Sequence, residues 1–121
     1  MTLPQHERAA DAPGPPAFLA QLAALQRQFR ERVVADAAYL GCLRQSYFSP
    51  DRTPEVERAL GRLAHSLSGS AGIFGHAGIS EAAFQVELLM RAETIDEAGL
   101  ATAVDQLLAE LTALRPESPE A

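Results

Sequence analysis

Cysteine is almost absent from this chain of 121 residues, which contains only Cys42. One cysteine cannot form a disulfide within the chain, and a thiolate metal site needs further ligands. We therefore expect Cys42 to be a small buried hydrophobic residue, the usual environment of a free cysteine. Such sparse use of cysteine suits a reducing compartment.

Long apolar runs are also missing. No segment approaches the roughly 18 apolar residues that a membrane span requires. Residues 1–12 are polar and carry both charge signs, which is not the pattern of a secretory signal. We therefore expect a cytoplasmic protein with no membrane partner.

Basic residues are in the minority, with ten Lys and Arg against sixteen Asp and Glu and a formal net charge of -6 at pH 7. Phosphate backbones repel a surface of this sign, so we expect no nucleic-acid partner. Apolar residues make up 47 % of the chain, which is enough for a packed core, and the length favours one domain.

The two ends of the chain differ in composition from its middle. Residues 1–16 include Pro4, Pro13, Pro15 and Pro16, which discourage a helix, so this segment is predicted to be a flexible, disordered arm. Residues 116–121 are predicted to form a disordered tail. The folded domain is expected over residues 17–115.

Apolar residues in the middle recur at three- and four-residue steps in four stretches, and no stretch alternates as a strand would. In the first stretch, Asp36 interrupts the apolar face and is interpreted as a buried, hydrogen-bonded carboxylate or a local irregularity. The apolar positions of that stretch are Phe18, Leu22, Leu25, Phe29, Val33, Leu40, Leu43 and Tyr47. Four amphipathic helices with short connections predict an all-α, up-and-down four-helix bundle.

Turn and capping residues separate the helices. Thr53 and Pro54 are typical of a helix start, and Gly75 of a turn at its end. The third helix is expected from near Ala77 to Ala92. Residues 94–97, Thr-Ile-Asp-Glu, have the spacing of a capping box at the start of the fourth helix.

His65 departs from the pattern of the second helix. At about 100° per residue, it lies roughly 170° from the centre of the apolar stripe and so points to solvent. Its surface neighbours at three-, four- and seven-residue steps are Arg58, Gly61, Arg62, Ser68, Gly69 and Gly72. Each glycine within a helix costs about 1 kcal/mol relative to alanine, and access to His65 for a partner surface would compensate for that cost.

The residue type suggests the chemistry. An imidazole that is neutral near pH 7 is a nucleophile, and its attack on a phosphoryl group gives a phosphoramidate. Transfer of a phosphoryl group depends on positioning and charge neutralisation. Arg58 and Arg62 are candidates for the positive charge, and Ser68 for a hydrogen bond to a phosphoryl oxygen.

Residues 65–71, His-Ser-Leu-Ser-Gly-Ser-Ala, followed by Gly75, Ile79 and the pair Val86-Glu87, resemble the histidine phosphotransfer (HPt) domain family of bacterial multistep phosphorelays. The resemblance implies a four-helix bundle with an exposed phospho-accepting histidine, which here is His65. It also implies that Gly69 provides clearance and that the surrounding surface docks a receiver domain.

The same resemblance implies a phosphoryl carrier and not an autonomous enzyme. Its partners would be response-regulator receiver domains, a hybrid histidine kinase, or both. The receiver would bring Mg²⁺, and the chain itself would hold no cofactor. The family usually has a lysine three residues after the histidine, where this chain has Ser68. That departure puts transfer rates in question.

Two other interpretations are open at this point. The first is a helical adaptor that binds receiver or kinase domains without phosphotransfer. The second is a metal or haem bundle, for which His76 is the obvious second ligand to His65. On one continuous helix these two residues would lie about 16 Å apart, too far for one ion, so we expect no metal site. His76 is predicted to be a loop or cap residue.

Overall fold

The computed structural model describes residues 15–114, which form four helices. They are α1 (Pro15–Tyr47), α2 (Pro54–Ile73), α3 (Ala77–Met90) and α4 (Glu97–Ala113). Consecutive helices pack against each other, and α1 also packs against α4, which closes the bundle around one core. The predicted all-α four-helix bundle is confirmed. Each helix within residues 15–114 is too short or too polar to cross a membrane.

The boundary of the predicted arm is wrong at its last two residues, because Pro15 and Pro16 are helical. Proline is tolerated in the first turn of a helix, where its missing N–H would have had no partner within the helix. The rest of the predicted arm, residues 1–14, and the predicted tail, residues 116–121, lie outside the described residues, and both stay predictions.

Side chains cap the starts of α2 and α4. At α2, Thr53 Oγ1 accepts a hydrogen bond from the Val56 amide at 3.2 Å, as its position predicts. At α4, the predicted capping box is wrong. The cap is Asp96, whose carboxylate accepts from the Gly99 amide at 3.0 Å, because the helix begins at Glu97, directly after it. Gly75 makes the turn between α2 and α3 with a φ of 82°.

The core consists of apolar side chains from all four helices, and the fully buried ones include Leu40, Leu60, Val86 and Leu107. The two ends of the apolar stripe predicted for α1 differ in burial. Its later positions are buried from Phe29 onward, but Phe18, Leu22 and Leu25 are exposed. The reason is length, since α1 has 33 residues and its neighbours have 20, 14 and 17.

Two further expectations on α1 have clear outcomes. Cys42 is exposed, so the prediction of a buried thiol is wrong. It lies one position from the buried Leu43, on a side of α1 that no other helix covers. Asp36 causes no irregularity in the helix. Its partly buried carboxylate accepts a hydrogen bond from Arg32 Nε at 3.2 Å, one turn earlier.

Candidate functional site

His65 lies in the middle of α2, and its side chain is 74 % exposed. The neighbouring Leu63 and Leu67 are buried in the core, on the other side of the helix. The predicted outward direction of His65 is therefore confirmed. It follows from helix periodicity alone, because the buried stripe of α2 fixes the side that faces water.

A carboxylate from α3 holds the ring of His65. Glu87 Oε2 lies 2.6 Å from His65 Nδ1, and Glu87 is the one buried charged residue among residues 15–114. A carboxylate can only accept, so the proton of a neutral ring lies on Nδ1. The lone pair is then on Nε2, the nitrogen farther from Glu87. Glu87 thereby favours one tautomer of a neutral ring and leaves Nε2 directed away from the carboxylate.

Arg91 is the second partner of this carboxylate. Its Nη2 lies 3.0 Å from the same Oε2, and its side chain is 66 % exposed. An unpaired buried carboxylate would be strongly destabilising. Two partners at one oxygen satisfy Glu87 and place an arginine beside the imidazole. The imidazole of His65 thus has a carboxylate at Nδ1 and a guanidinium close by.

An open groove of about 900 Å³ lies beside His65, between α2 and the carboxyl end of α3. Tyr47, Met90 and Ile95 provide its apolar lining. Arg58, Arg62 and Arg91 provide its cationic side chains. An apolar groove with several arginines suits a partner surface that combines apolar contacts with negative charge.

The structure divides the predicted docking residues between two places. Arg58, Gly61 and Arg62 line the groove that contains His65. Ser68 and Gly72 line a separate hollow of about 400 Å³ toward the other end of α2, and Gly69 is exposed and lines neither. Ser68 therefore does not share the groove of His65.

The glycines near His65 are not required by packing within the chain. A Cβ added at Gly61 or Gly69 would meet no atom within 4 Å, and one at Gly72 would lie at an ordinary 3.4 Å from Ser80 Oγ. The absence of side chains at these positions leaves the surface of α2 open around the imidazole.

Two residues of the site have no predicted functional role. Glu87 was known only as part of the family pattern, and Tyr47 only as an apolar position of α1. A signal for Glu87 was present, since it follows Val86 on the inner face of α3, and a carboxylate is seldom buried without a partner. Its partner was not readable, because His65 is 22 positions away on another helix.

Tyr47 comes from the carboxyl end of α1 and is buried at the groove. Burial raises the pKa of its hydroxyl, while the nearby positive charge of Arg52 acts in the opposite direction. The guanidinium of Arg52 lies over the ring at 4.3 Å from its centroid. The phenol is therefore a neutral, well-packed part of the site near pH 7.

His76 does not line this groove. It occupies the cap position before α3, as predicted, and its ring stacks on Phe29 at 5.2 Å between centroids. Within residues 15–114, no group of three or more His, Cys, Asp or Glu side chains is arranged to hold a metal ion.

The chain was compared with models of known protein families, with curated proteins and with solved structures. The family model described as Hpt domain matches residues 17–117, which takes in nearly all of the four helices. No curated protein and no solved structure matches the chain significantly.

Proposed function

Because the chain belongs to the Hpt domain family, whose members carry phosphoryl groups in phosphorelays, we propose that His65 accepts a phosphoryl group from one receiver domain and passes it to another. The observation that carries this proposal is the hydrogen bond from His65 Nδ1 to Glu87. It favours the tautomer in which Nε2 is the nucleophile. Partners of the family are receiver domains and kinases in general, and the particular ones are part of the proposal.

The proposed transfer is a single displacement at phosphorus. The lone pair of His65 Nε2 forms the N–P bond while the P–O bond to the receiver's aspartate breaks, and its electron pair leaves on that carboxylate. The proton on Nδ1 stays in its hydrogen bond to Glu87, whose negative charge balances the positive charge that develops on the ring. The reverse displacement by a second aspartate returns the neutral imidazole.

Arginines are the proposed substitutes for the lysine that the family usually has at the position of Ser68. The chain contains no lysine, so every basic side chain is an arginine. Arg62 is one turn before His65, and Arg91 is held beside it by Glu87. A guanidinium can donate two hydrogen bonds to one phosphoryl group. We propose that Mg²⁺ is supplied by the receiver.

The proposed docking surface extends from the groove over the open face of α2. It includes Arg58, Gly61, Arg62 and Gly69, with Ser68 and Gly72 at its far edge. Phe84 and Leu88 on α3 are each 44 % exposed and offer apolar contact area. Such a mixed surface is typical of a transient signalling contact.

The test is transfer of label from a phosphorylated receiver in the presence of Mg²⁺. We expect acid-labile label on the wild-type chain, none on His65→Gln, and unchanged label on the control His76→Gln. Circular dichroism would check that both variants are folded. Label that persists on His65→Gln would contradict the assignment of His65.

The alternative of an adaptor without chemistry draws on one observation, the hydroxyl of Ser68 at the place of the usual cation. It predicts that the chain binds receivers but takes up no label, and that His65→Gln binds them equally well. A binding measurement by calorimetry alongside the labelling experiment separates the two functions.

A further inference from the structure

The first part of α1, residues 15–28, presents large apolar side chains to water. We call this segment the α1 projection, since its residues include none that is buried. Phe18 is 55 % exposed, Leu19 60 %, Leu22 36 % and Leu25 48 %. A contiguous exposed apolar strip of this kind on a small domain marks a contact surface.

The strip continues the seam that packs the bundle. Phe18, Leu22 and Leu25 lie on the same side of α1 as Phe29 and Val33, which are buried. Phe29 packs against Phe74 and His76 at the turn between α2 and α3. The α1 projection therefore begins at that end of the bundle, and none of α2–α4 packs against its apolar side.

The remaining segments of the chain have little with which to cover the strip. Residues 1–14 contain only Met1 and Leu3 as large apolar residues, and residues 115–121 contain none. A second copy of the chain offers an identical strip. The net charge of -6 repels two copies from each other, but residues 15–26 carry no ionisable side chain. Within the α1 projection, residues 15–26 therefore bring no like charges together when two copies meet.

We propose that two copies of this chain form an antiparallel dimer through their α1 projections. Apolar residues at positions 18, 22, 25 and 29 have the alternating four- and three-residue spacing of a coiled-coil seam. In the antiparallel arrangement, Leu22 lies near the twofold axis and Phe18 of one copy packs beside Leu25 of the other. Such a contact uses the same patch on both copies and closes on itself.

The dimer leaves both phosphoryl sites accessible. His65 is eight residues from the end of α2 at Ile73, about 12 Å along the helix axis from the turn where the α1 projection begins. The strip is short, so the interface is expected at the small end of specific interfaces, which bury at least about 1,000 Å² in total. We therefore expect a reversible dimer with a dissociation constant on the order of 10 µM.

Sedimentation velocity from about 1 µM to about 500 µM tests the dimer. The informative pair of variants is Leu25→Glu and Val34→Glu, because both residues lie on α1 and each is 48 % exposed. We expect Leu25→Glu to weaken dimerisation at least about 30-fold, which is about 2 kcal/mol, and Val34→Glu to leave it unchanged. A chain that is monomeric throughout, or equal behaviour of the two variants, overturns the proposal.

Cross-linking tests the orientation in a Cys42→Ser background. Chains with Phe18→Cys should form disulfides with chains carrying Leu25→Cys in preference to their own kind, and Val34→Cys should form none. Preferential pairing of like chains at both positions would indicate parallel helices and would overturn the antiparallel arrangement. Neither measurement involves phosphate, so its outcome is independent of the role of His65.

Discussion

At His65, one oxygen of a buried carboxylate decides which ring nitrogen is available for chemistry. Glu87 Oε2 takes the hydrogen bond from Nδ1 and the hydrogen bond from Arg91 together. A residue in the interior of the bundle thus connects an exposed imidazole to an exposed guanidinium. The proposed role of His65 therefore depends on Glu87 as much as on the exposure of the ring.

Replacement of Glu87 by alanine should remove the preference of the His65 ring for the Nδ1-protonated tautomer. We expect ¹⁵N NMR to show the Nδ1-protonated ring in the wild-type chain and a mixture in Glu87→Ala. Loss of a hydrogen bond to a charged group costs about 1.5–3 kcal/mol, so uptake of label should slow by at least about tenfold. Glu87→Gln, which keeps an acceptor, should retain the tautomer. Identical ring spectra in all three chains would contradict a positioning role.

At Gly69, receiver binding and the free energy of unfolding are expected to respond in opposite directions to an added side chain. A Cβ at this position meets no atom within 4 Å, so Gly69→Ala should raise the free energy of unfolding by about 0.5–1 kcal/mol. The same change should weaken receiver binding if the open surface is used for docking.

Gly41 on α1 supplies the matched control for this prediction, because a Cβ there also meets nothing. Gly41→Ala should stabilise the chain equally, as measured by urea unfolding, and should leave receiver binding unaltered. Equal binding by both variants would show that the surface at Gly69 is not in the interface.

At the scale of the element, a capping side chain marks where α2 and α4 begin. Thr53 caps α2 and Asp96 caps α4, each by accepting from an amide three residues later. Tyr47 and Ile95, which line the groove, lie at the ends of the loops that precede these helices.

Because Asp96 caps α4 and Thr94 does not, substitutions at these two residues can be compared directly. Asp96→Ala should lower the free energy of unfolding by about 1 kcal/mol, because the Gly99 amide loses its acceptor. Thr94→Ala should change it by less than about 0.5 kcal/mol, the usual range for an exposed residue without such a contact. Thermal or urea unfolding measures both, and a larger loss in Thr94→Ala would favour the capping box.

At the scale of the whole molecule, the buried Tyr47 is expected to make the stability of the folded state depend on pH. Its raised pKa means that the folded state favours the neutral phenol, because burial disfavours the phenolate. The corresponding stability is fully present below the unfolded pKa of about 10. It is lost as the pH rises through the higher folded pKa.

The free energy of unfolding should therefore fall between about pH 9 and about pH 11. The chain has two tyrosines and no lysine, so few other groups titrate in this range. Tyr47→Phe should flatten the fall, whereas Tyr39→Phe should not, because Tyr39 is 48 % exposed. Urea unfolding at the two pH values measures the difference, and an unchanged slope in Tyr47→Phe would contradict this origin.

Helix periodicity and local spacing made the fold class and part of the site predictable from the sequence. The outward direction of His65, the cap at Thr53 and the turn at Gly75 depend on contacts or spacings within a few residues, and the sequence contains them all. For the same reason the number of helices and the fold class were predictable. The motif around His65 pointed to the family that matches residues 17–117.

The sequence by itself determined that one imidazole on an amphipathic helix faces water among glycines. Only the tertiary structure decided that Glu87 and Arg91 lie beside it, that Ser68 belongs to a different hollow, and that Phe18, Leu22 and Leu25 have no partner within the bundle. The physical reason is that periodicity assigns a side to each residue of a helix. Which residue of another helix lies opposite depends on how far the helices extend and how they are aligned.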